Sequence, residues 1–363
     1  VPATRLASAH RTGIPPHIRE APGMSSFPTT SREIRLVSRP KGQPSLDNFE
    51  LASAPVREPG PGEAVVRNDY MSVEPYMRGR MNESKSYVPP FEIGKALTGG
   101  AIGEVIASGD DALPVGTLVS HDYGWREYAS ASGKAFRPLP KGVAQPSQFL
   151  GVLGVPGFTA YVGLHDIGGL KKDDEVFVSS AAGAVGSVAG QLAKKAGARV
   201  IGSAGGEEKV RSLIDKLGFD TAFDYKAGNV LESLRACAPN GLDLYFDNVG
   251  GEQLEAAIFC MNDFGRLVEC GMISQYNEPT PGPRNLAIVV GRRLTMRGFI
   301  ILDHMARYAD FLRDVAPMVQ SGEIVLPESF VDGIENAPQA FLDMLKGGRF
   351  SGKVVVRLGA AAQ

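Results

Sequence analysis

The chain has little cysteine: Cys237, Cys260 and Cys270 are its only three, an odd number without paired metal-type spacing. That excludes a disulfide framework and points to a reducing compartment, so a cytoplasmic location is expected. It has no run of about 18 apolar residues, so no membrane span is expected. It has no long basic block, and with 38 basic against 40 acidic residues its net charge is −2, which leaves no electrostatic footprint for nucleic acid or an anionic membrane. Histidine is sparse too: His10, His17, His121, His165 and His304 are scattered, and no cysteine precedes residue 237. A catalytic zinc needs three convergent Cys, His or carboxylate ligands, so no metal site is expected. No G-x-S-x-G elbow and no G-x-x-x-x-G-K-[ST] loop occurs, which leaves hydrolase and nucleotide-triphosphatase readings without support.

Glycine is abundant. Its 44 copies, several in pairs such as Gly99-Gly100, Gly205-Gly206, Gly250-Gly251 and Gly347-Gly348, indicate tight turns and close backbone approaches. The 363-residue length exceeds what one hydrophobic core usually fills, so two domains are expected. Residues 1–23 are basic and acid-poor but hold four prolines and no amphipathic face; Met24 reads as a natural start, and residues 1–30 are expected to be a disordered extension.

Residues 31–150 read as a β-rich, barrel-like module, with short strands at 33–37, 63–70, 101–107 and 117–121 between Pro/Gly turns. Over 151–320 the texture changes to apolar strands alternating with helical periods: strands at 175–179, 199–203, 221–224, 242–247 and 265–270, and helices at 187–196, 207–217, 229–237, 253–261 and 305–320. Repeated strand–helix–strand units predict a doubly wound parallel sheet. The tail, 321–363, carries residues 324–326, a helix at 337–345 and a strand at 353–358; it has no place in that sheet and is assigned back to the first domain.

The run 175–179 leads into Ser180-Ala181-Ala182-Gly183-Ala184-Val185-Gly186 and a helix. Over the dinucleotide fingerprint G-x-G-x-x-G, Ala181 replaces the first glycine, while Gly183 lets backbone approach a pyrophosphate and Gly186 lets helix pack on strand. An NAD-selective site presents an acid about 20 residues on. Here that position is Ser203, and Lys209 on the next helix suits a 2′-phosphate, so NADPH is expected over NADH. Without a metal, the remaining chemistry is hydride transfer to a conjugated carbon, which needs a donor for the developing enolate oxygen and a proton for the α-carbon. A neutral tyrosine suits the donor role. Candidates lie in 73–81, at Tyr87 and in 270–277, and Tyr276 stands out because it follows a strand end of the nucleotide domain.

The strings VEPYMRGRM (73–81), AAGAVGSVAGQLAK (181–194), GFDTAFDYK (218–226), LYFDNVGG (244–251) and CGMISQYN (270–277), in that order, resemble the alkenal/one oxidoreductases, which include prostaglandin and curcumin reductases. This is a zinc-independent branch of the medium-chain dehydrogenases/reductases, and the resemblance runs from residue 31 to about 358. It implies a Rossmann domain inserted in a GroES-like β-barrel catalytic domain, a homodimer, and NADPH-dependent reduction of the C=C bond of an α,β-unsaturated carbonyl. By the resemblance Gly183, Ala184, Val185 and Gly186 form the pyrophosphate loop, and Lys209 and Tyr225 hold the 2′-phosphate. Asn248, Cys270, Gly271, Met272, Ile273, Ser274, Gln275 and Tyr276, with Phe299, Ile300 and Ile301, line the nicotinamide side; Tyr87 is a substrate-side tyrosine. One position departs: Phe350 stands where the family carries an asparagine that contacts the cofactor. A quinone reductase of the same fold and a non-catalytic NADPH-binding sensor are the alternative readings.

Overall fold

The computed structural model describes residues 27–278 and 280–358. Of the extension expected over residues 1–30, residues 1–26 lie outside the described residues, and the first strand, Thr30–Leu36, begins at its last residue.

Three sheets organise the chain. Thr30–Leu36 pairs antiparallel with Phe49–Pro55. A seven-stranded sheet runs in the order Glu328–Asp332, Lys353–Arg357, Glu63–Ser72, Ala101–Ser108, Leu118–His121 and Arg137–Pro138, with Tyr128–Ser132 also on Glu63–Ser72. The third sheet has six parallel strands in the order Thr221–Asp224, Arg199–Ala204, Glu175–Val178, Leu242–Asp247, Met261–Glu269 and Thr295–Gly298. In chain order that is 3-2-1-4-5-6, the doubly wound dinucleotide-binding topology. Its order reverses between Glu175–Val178 and Leu242–Asp247, and ligands collect at the carboxyl ends beside such a switch point.

The inner strands are apolar nearly throughout because helices cover both faces. Side chains alternate with period two: Val176, Val178, Val200, Leu244 and Phe246 enter one core, and Phe177, Ile201 and Tyr245 enter the other. The rings of Phe177 and Tyr245 stack with centroids 4.8 Å apart. The helix expected over 305–320 divides into a 3-10 segment, Ile301–Arg307, and the α-helix Tyr308–Gln320.

The tail closes the architecture. Lys353–Arg357 pairs antiparallel with Glu63–Ser72, so the chain leaves the parallel sheet and ends in the barrel sheet. Lys353 is 1% exposed; its ammonium donates to Ser72 Oγ at 2.5 Å and the Val73 carbonyl at 3.1 Å, with the Glu74 carboxylate at 3.3 Å. Just before it the Gly352 amide donates to the Ala182 carbonyl at 2.8 Å, joining the tail to the expected pyrophosphate loop. Gly352 has φ +68°, and a Cβ there would lie 1.8 Å from the Pro327 carbonyl, so only glycine fits. Among the described residues no helix is long and apolar enough to cross a membrane.

Candidate active site

At the end of the first parallel strand the sharp turn is made by Ser180, whose φ is +49°. The left-handed residue is therefore not Ala181. Ala181 is buried, and Gly202 on the neighbouring strand, where a Cβ would sit 3.0 Å from the Ala181 methyl, leaves room for it. Gly183 caps the twelve-residue helix Ala184–Lys195, with Ala184 and Val185 half-buried in its first turn. A Cβ on Gly186 would meet the Ser180 carbonyl at 2.4 Å and Ala181 Cα at 2.9 Å, so the loop keeps its shape only with glycine there.

The second strand runs to Ala204, one residue beyond the expected end. Ser203 is fully buried and donates to Gln253 Oε1, so it does not face a ligand; Ala204-Gly205-Gly206 takes that place, again without a carboxylate. Tyr225 and Lys226 lean over Gly205, where a Cβ would stand 3.2 Å from the Tyr225 phenol oxygen and 3.0 Å from Lys226 Cε. Lys209, from the helix Glu207–Asp215, is half-buried there; burial first, and then the Lys226 cation, hold its pKa below the usual lysine value. Lys226 was absent from the expected site, although it follows Tyr225 directly. The Lys209 ammonium donates to the Phe350 carbonyl at 2.5 Å. Phe350 thus contributes backbone here, while its ring packs toward the barrel core with the Arg349 guanidinium 5.0 Å above it.

Across the switch point, the Asn248 side chain donates to the Ser179 carbonyl at 2.8 Å and its amide receives Ser179 Oγ as acceptor at 2.9 Å. Asp247 before it is fully buried. Its Oδ1 accepts from the Tyr245 hydroxyl (2.6 Å), the Val249 and Gly250 amides (2.8 and 2.9 Å) and the Ser179 hydroxyl (3.0 Å). Glu269 stands opposite Asp247 in the strand register. Both Glu269 oxygens and Asp247 Oδ2 are buried with no donor among the described residues, and burial raises both carboxyls. Burial first, then the Asp247 charge, push the Glu269 carboxyl up to about 8.

The loop that follows, Cys270 to Asn277, hangs on this strand end. The Cys270 and Gly271 amides donate to the Asp247 carbonyl, at 2.9 and 3.1 Å, and the Ser274 amide and hydroxyl donate to the Val249 carbonyl, at 3.1 and 2.6 Å. Ile273–Gln275 is a single 3-10 turn. Behind it Cys270 is a neutral thiol, pushed up to about 12 by burial and by Asp247 and Glu269. Tyr276 turns its phenol back over Gly271, 3.5 Å from where a Cβ would stand, and burial pushes it up to about 12, with Tyr87 the next cause. Tyr87 arrives from the barrel domain; it is 54% exposed, and its phenol is raised by burial, Glu74 and Cys270. The two expected tyrosines therefore stand close enough for the charge of Tyr87 to bear on Tyr276, and it bears also on Tyr76 from the 73–81 string. After the sixth strand, Phe299 and Ile301 pack half-buried on the first core with Ile300 between them.

Residues 32–139 match a family model described as the N-terminal domain of oxidoreductase, and residues 184–316 match one described as zinc-binding dehydrogenase. The chain is 42% identical over 335 residues to the NADPH-dependent curcumin reductase of Escherichia coli, covering 90% of this chain and 97% of that one. It is 40% identical over 335 residues to the 2-alkenal reductase (NADP(+)-dependent) of Nicotiana tabacum, with the same coverage. CurA from Vibrio vulnificus in complex with NADPH superposes with a TM-score of 0.86 at 43% identity, covering 91% of this chain and 99% of that chain. The chain belongs to the medium-chain dehydrogenase/reductase family, in its alkenal/one oxidoreductase branch. Although one of the matched descriptions names zinc, no group of three or more His, Cys, Asp or Glu side chains among the described residues is placed to hold a metal ion. A quinone oxidoreductase from Pseudomonas syringae, at 20% identity and a TM-score of 0.72, shares the fold.

The raised Glu269 carboxyl has a consequence for stability. Its folded pKa, about 8, lies above its ordinary 4.5, so the folded chain binds this proton more tightly than the unfolded chain. The stability this contributes is complete below the ordinary value and is lost as pH rises through about 8. The wild-type melting temperature should therefore fall between about pH 5 and about pH 8, and Glu269→Gln, which faces Asp247, Tyr245 and Cys270 without ionising, should flatten that slope. Identical slopes for the two proteins would contradict the raised Glu269 carboxyl.

Proposed function

We propose that this protein reduces the carbon–carbon double bond of α,β-unsaturated aldehydes and ketones with NADPH. The reading is carried by the Tyr276 phenol, folded back over Gly271 on the loop at the carboxyl end of the fifth parallel strand, with Tyr87 near enough for its charge to bear on it. The names of the curcumin and 2-alkenal reductases to which the chain is similar support it.

The residues fit NADPH. Gly183 and the amides of the Ala184–Lys195 helix offer a pyrophosphate cradle, Lys209 with Lys226 and Tyr225 offers cations and a hydroxyl to a 2′-phosphate, and no carboxylate stands at the strand end to repel it. Asn248, the loop from Cys270 to Tyr276, and the stretch from Phe299 to Ile301 form the nicotinamide side. Bound NADPH supplies a hydride from its nicotinamide ring. Addition at the substrate β-carbon moves the π electrons onto the carbonyl oxygen. The Tyr276 phenol, neutral at any working pH, donates a hydrogen bond to that oxygen, and Tyr87 closes the substrate side. A proton from water then goes to the α-carbon and completes the addition.

Two copies pair through the open side of the parallel sheet. All four residues of the edge strand Thr295–Gly298 are exposed, Met296 among them; the chain just before it exposes Leu286 and Val290, the latter 80% exposed, and the chain just after it exposes Leu302 and Met305. Three thiols without disulfide partners support a cytoplasmic location.

Lys209→Ala should raise the Michaelis constant for NADPH by about tenfold or more, the value of a charged hydrogen bond, and leave that for NADH nearly unchanged. A wild-type preference for NADH would overturn the cofactor reading. Tyr276→Phe should lower turnover of enones by about 10- to 1000-fold while the NADPH dissociation constant stays near wild type. Unchanged turnover, with a large loss in Tyr87→Phe, would move the donor role to the barrel domain. Sedimentation of the protein taken from the cytosolic fraction should give the mass of a dimer, reduced to monomer by Val290→Asp with Met296→Asp. A monomeric wild type, or its absence from that fraction, would contradict the assembly or the location.

A further inference from the structure

Arg78 is a buried cation whose partners are all neutral. It stands on the short helix Met77–Arg80 with 3% of its surface exposed, and burial is the one cause that shifts its pKa, downward. Taking a guanidinium out of water costs several kcal/mol, and proteins usually offset that cost with a carboxylate. Here three oxygens of uncharged groups do so. Nη2 donates to the Gly42 carbonyl at 2.7 Å, Nη1 to Asn82 Oδ1 at 2.8 Å and Nε to Asn277 Oδ1 at 3.0 Å.

The first two acceptors belong to the barrel domain and hold the planar fork in one orientation. The third is 199 residues away, on the nucleotide-domain loop, and immediately follows Tyr276. Upstream that loop is well anchored through the Asp247 and Val249 carbonyls. At Tyr276 the backbone hold weakens: its amide reaches the Ile273 carbonyl at 3.3 Å, and the described residues from 276 to 286 form no helix or strand, while the Met272 backbone faces the phenol. Among the described residues, the Arg78–Asn277 pair is the side-chain hydrogen bond that ties this loop to the barrel domain.

We propose that Arg78 is a positioning residue for the reduction: through the Asn277 carboxamide it sets where the Tyr276 phenol stands in the cleft between the domains. This rests on the reading of Tyr276 as the enolate donor. The side chain itself touches no reacting atom. Its role requires a rigid, permanently charged fork whose third donor crosses the cleft, and an asparagine acceptor that adds no negative charge beside the phenol.

The test places Asn277→Ala in the wild-type and Tyr276→Phe backgrounds. Asn277→Ala removes one acceptor and leaves Arg78 its two barrel-domain partners, so the fold survives even where Arg78→Lys unfolds; melting temperatures check this. In the wild-type background it should lower kcat by about tenfold, the scale expected when a reacting group is displaced by a fraction of an ångström, with the NADPH dissociation constant unchanged. In the Tyr276→Phe background the same substitution should cost less than about twofold, because the group being positioned is already gone. Arg78→Lys, where it folds, should follow Asn277→Ala in both backgrounds. A large loss from Tyr276→Phe with none from Asn277→Ala, or equal losses from Asn277→Ala in both backgrounds, overturns the positioning role alone. Wild-type turnover in Tyr276→Phe overturns the donor reading and this inference with it.

Discussion

The site depends on one buried aspartate. Asp247 ends the fourth parallel strand, and its carboxylate and its carbonyl between them take hydrogen bonds from Ser179 at the root of the first loop, from Val249 and Gly250 at the next turn, and from Cys270 and Gly271 at the start of the third. A carboxylate without solvent is costly, and four donors on one oxygen are the compensation. Because the three loops share one acceptor residue, they are fixed relative to each other at the switch point of the sheet. The second carboxylate oxygen is the remainder of that arrangement, and Glu269 meets it by holding a proton.

Charge is sorted along the cleft that these loops form. At the second-strand end, Lys209 and Lys226 gather positive charge over backbone that glycine leaves bare. At the fifth-strand end, burial holds the Cys270 thiol and the Tyr276 phenol in their neutral forms. Under the proposed reading a dianionic phosphate is favoured at one end. At the other, a neutral donor would face negative charge only as that charge develops, which is the condition for stabilising a transition state rather than a ground state. The return strand makes the two ends one unit: Gly352 bonds the first loop, Phe350 bonds Lys209, and Lys353 fastens the same segment to Ser72 and Val73 of the barrel sheet.

Much of this was legible in the sequence, for a physical reason. Strands buried on both faces must be largely apolar, so 242–247 could be read to the residue, and the glycine spacing at Gly183 and Gly186 reflects backbone clearances no other residue meets. Elements with a weaker apolar signal escaped notice, Phe49–Pro55, the small-residue strand Tyr128–Ser132 and the fully exposed Thr295–Gly298, as did the apolar helix Val155–Val162, where proline and glycine in the first turn mask the helical pattern. In the site, residue type was readable and pairing was not. Ser203 looked like a strand end but is turned inward by Gln253; Lys226 reaches the site only because Gly205 has no side chain; the Asp247–Glu269 contact depends on a strand register, and Arg78 with Asn277 on how two domains face each other. Tertiary placement decides each of these, and local patterning carries no record of it.

The central claim is that this cleft directs hydride to the β-carbon of a conjugated carbonyl rather than to the carbonyl carbon. Turnover of an enone with NADPH carrying deuterium at the reactive position of the nicotinamide, followed by NMR of the product, reads the destination directly. Deuterium on the β-carbon of a saturated ketone is the predicted result; deuterium on the carbinol carbon of an allylic alcohol would contradict it.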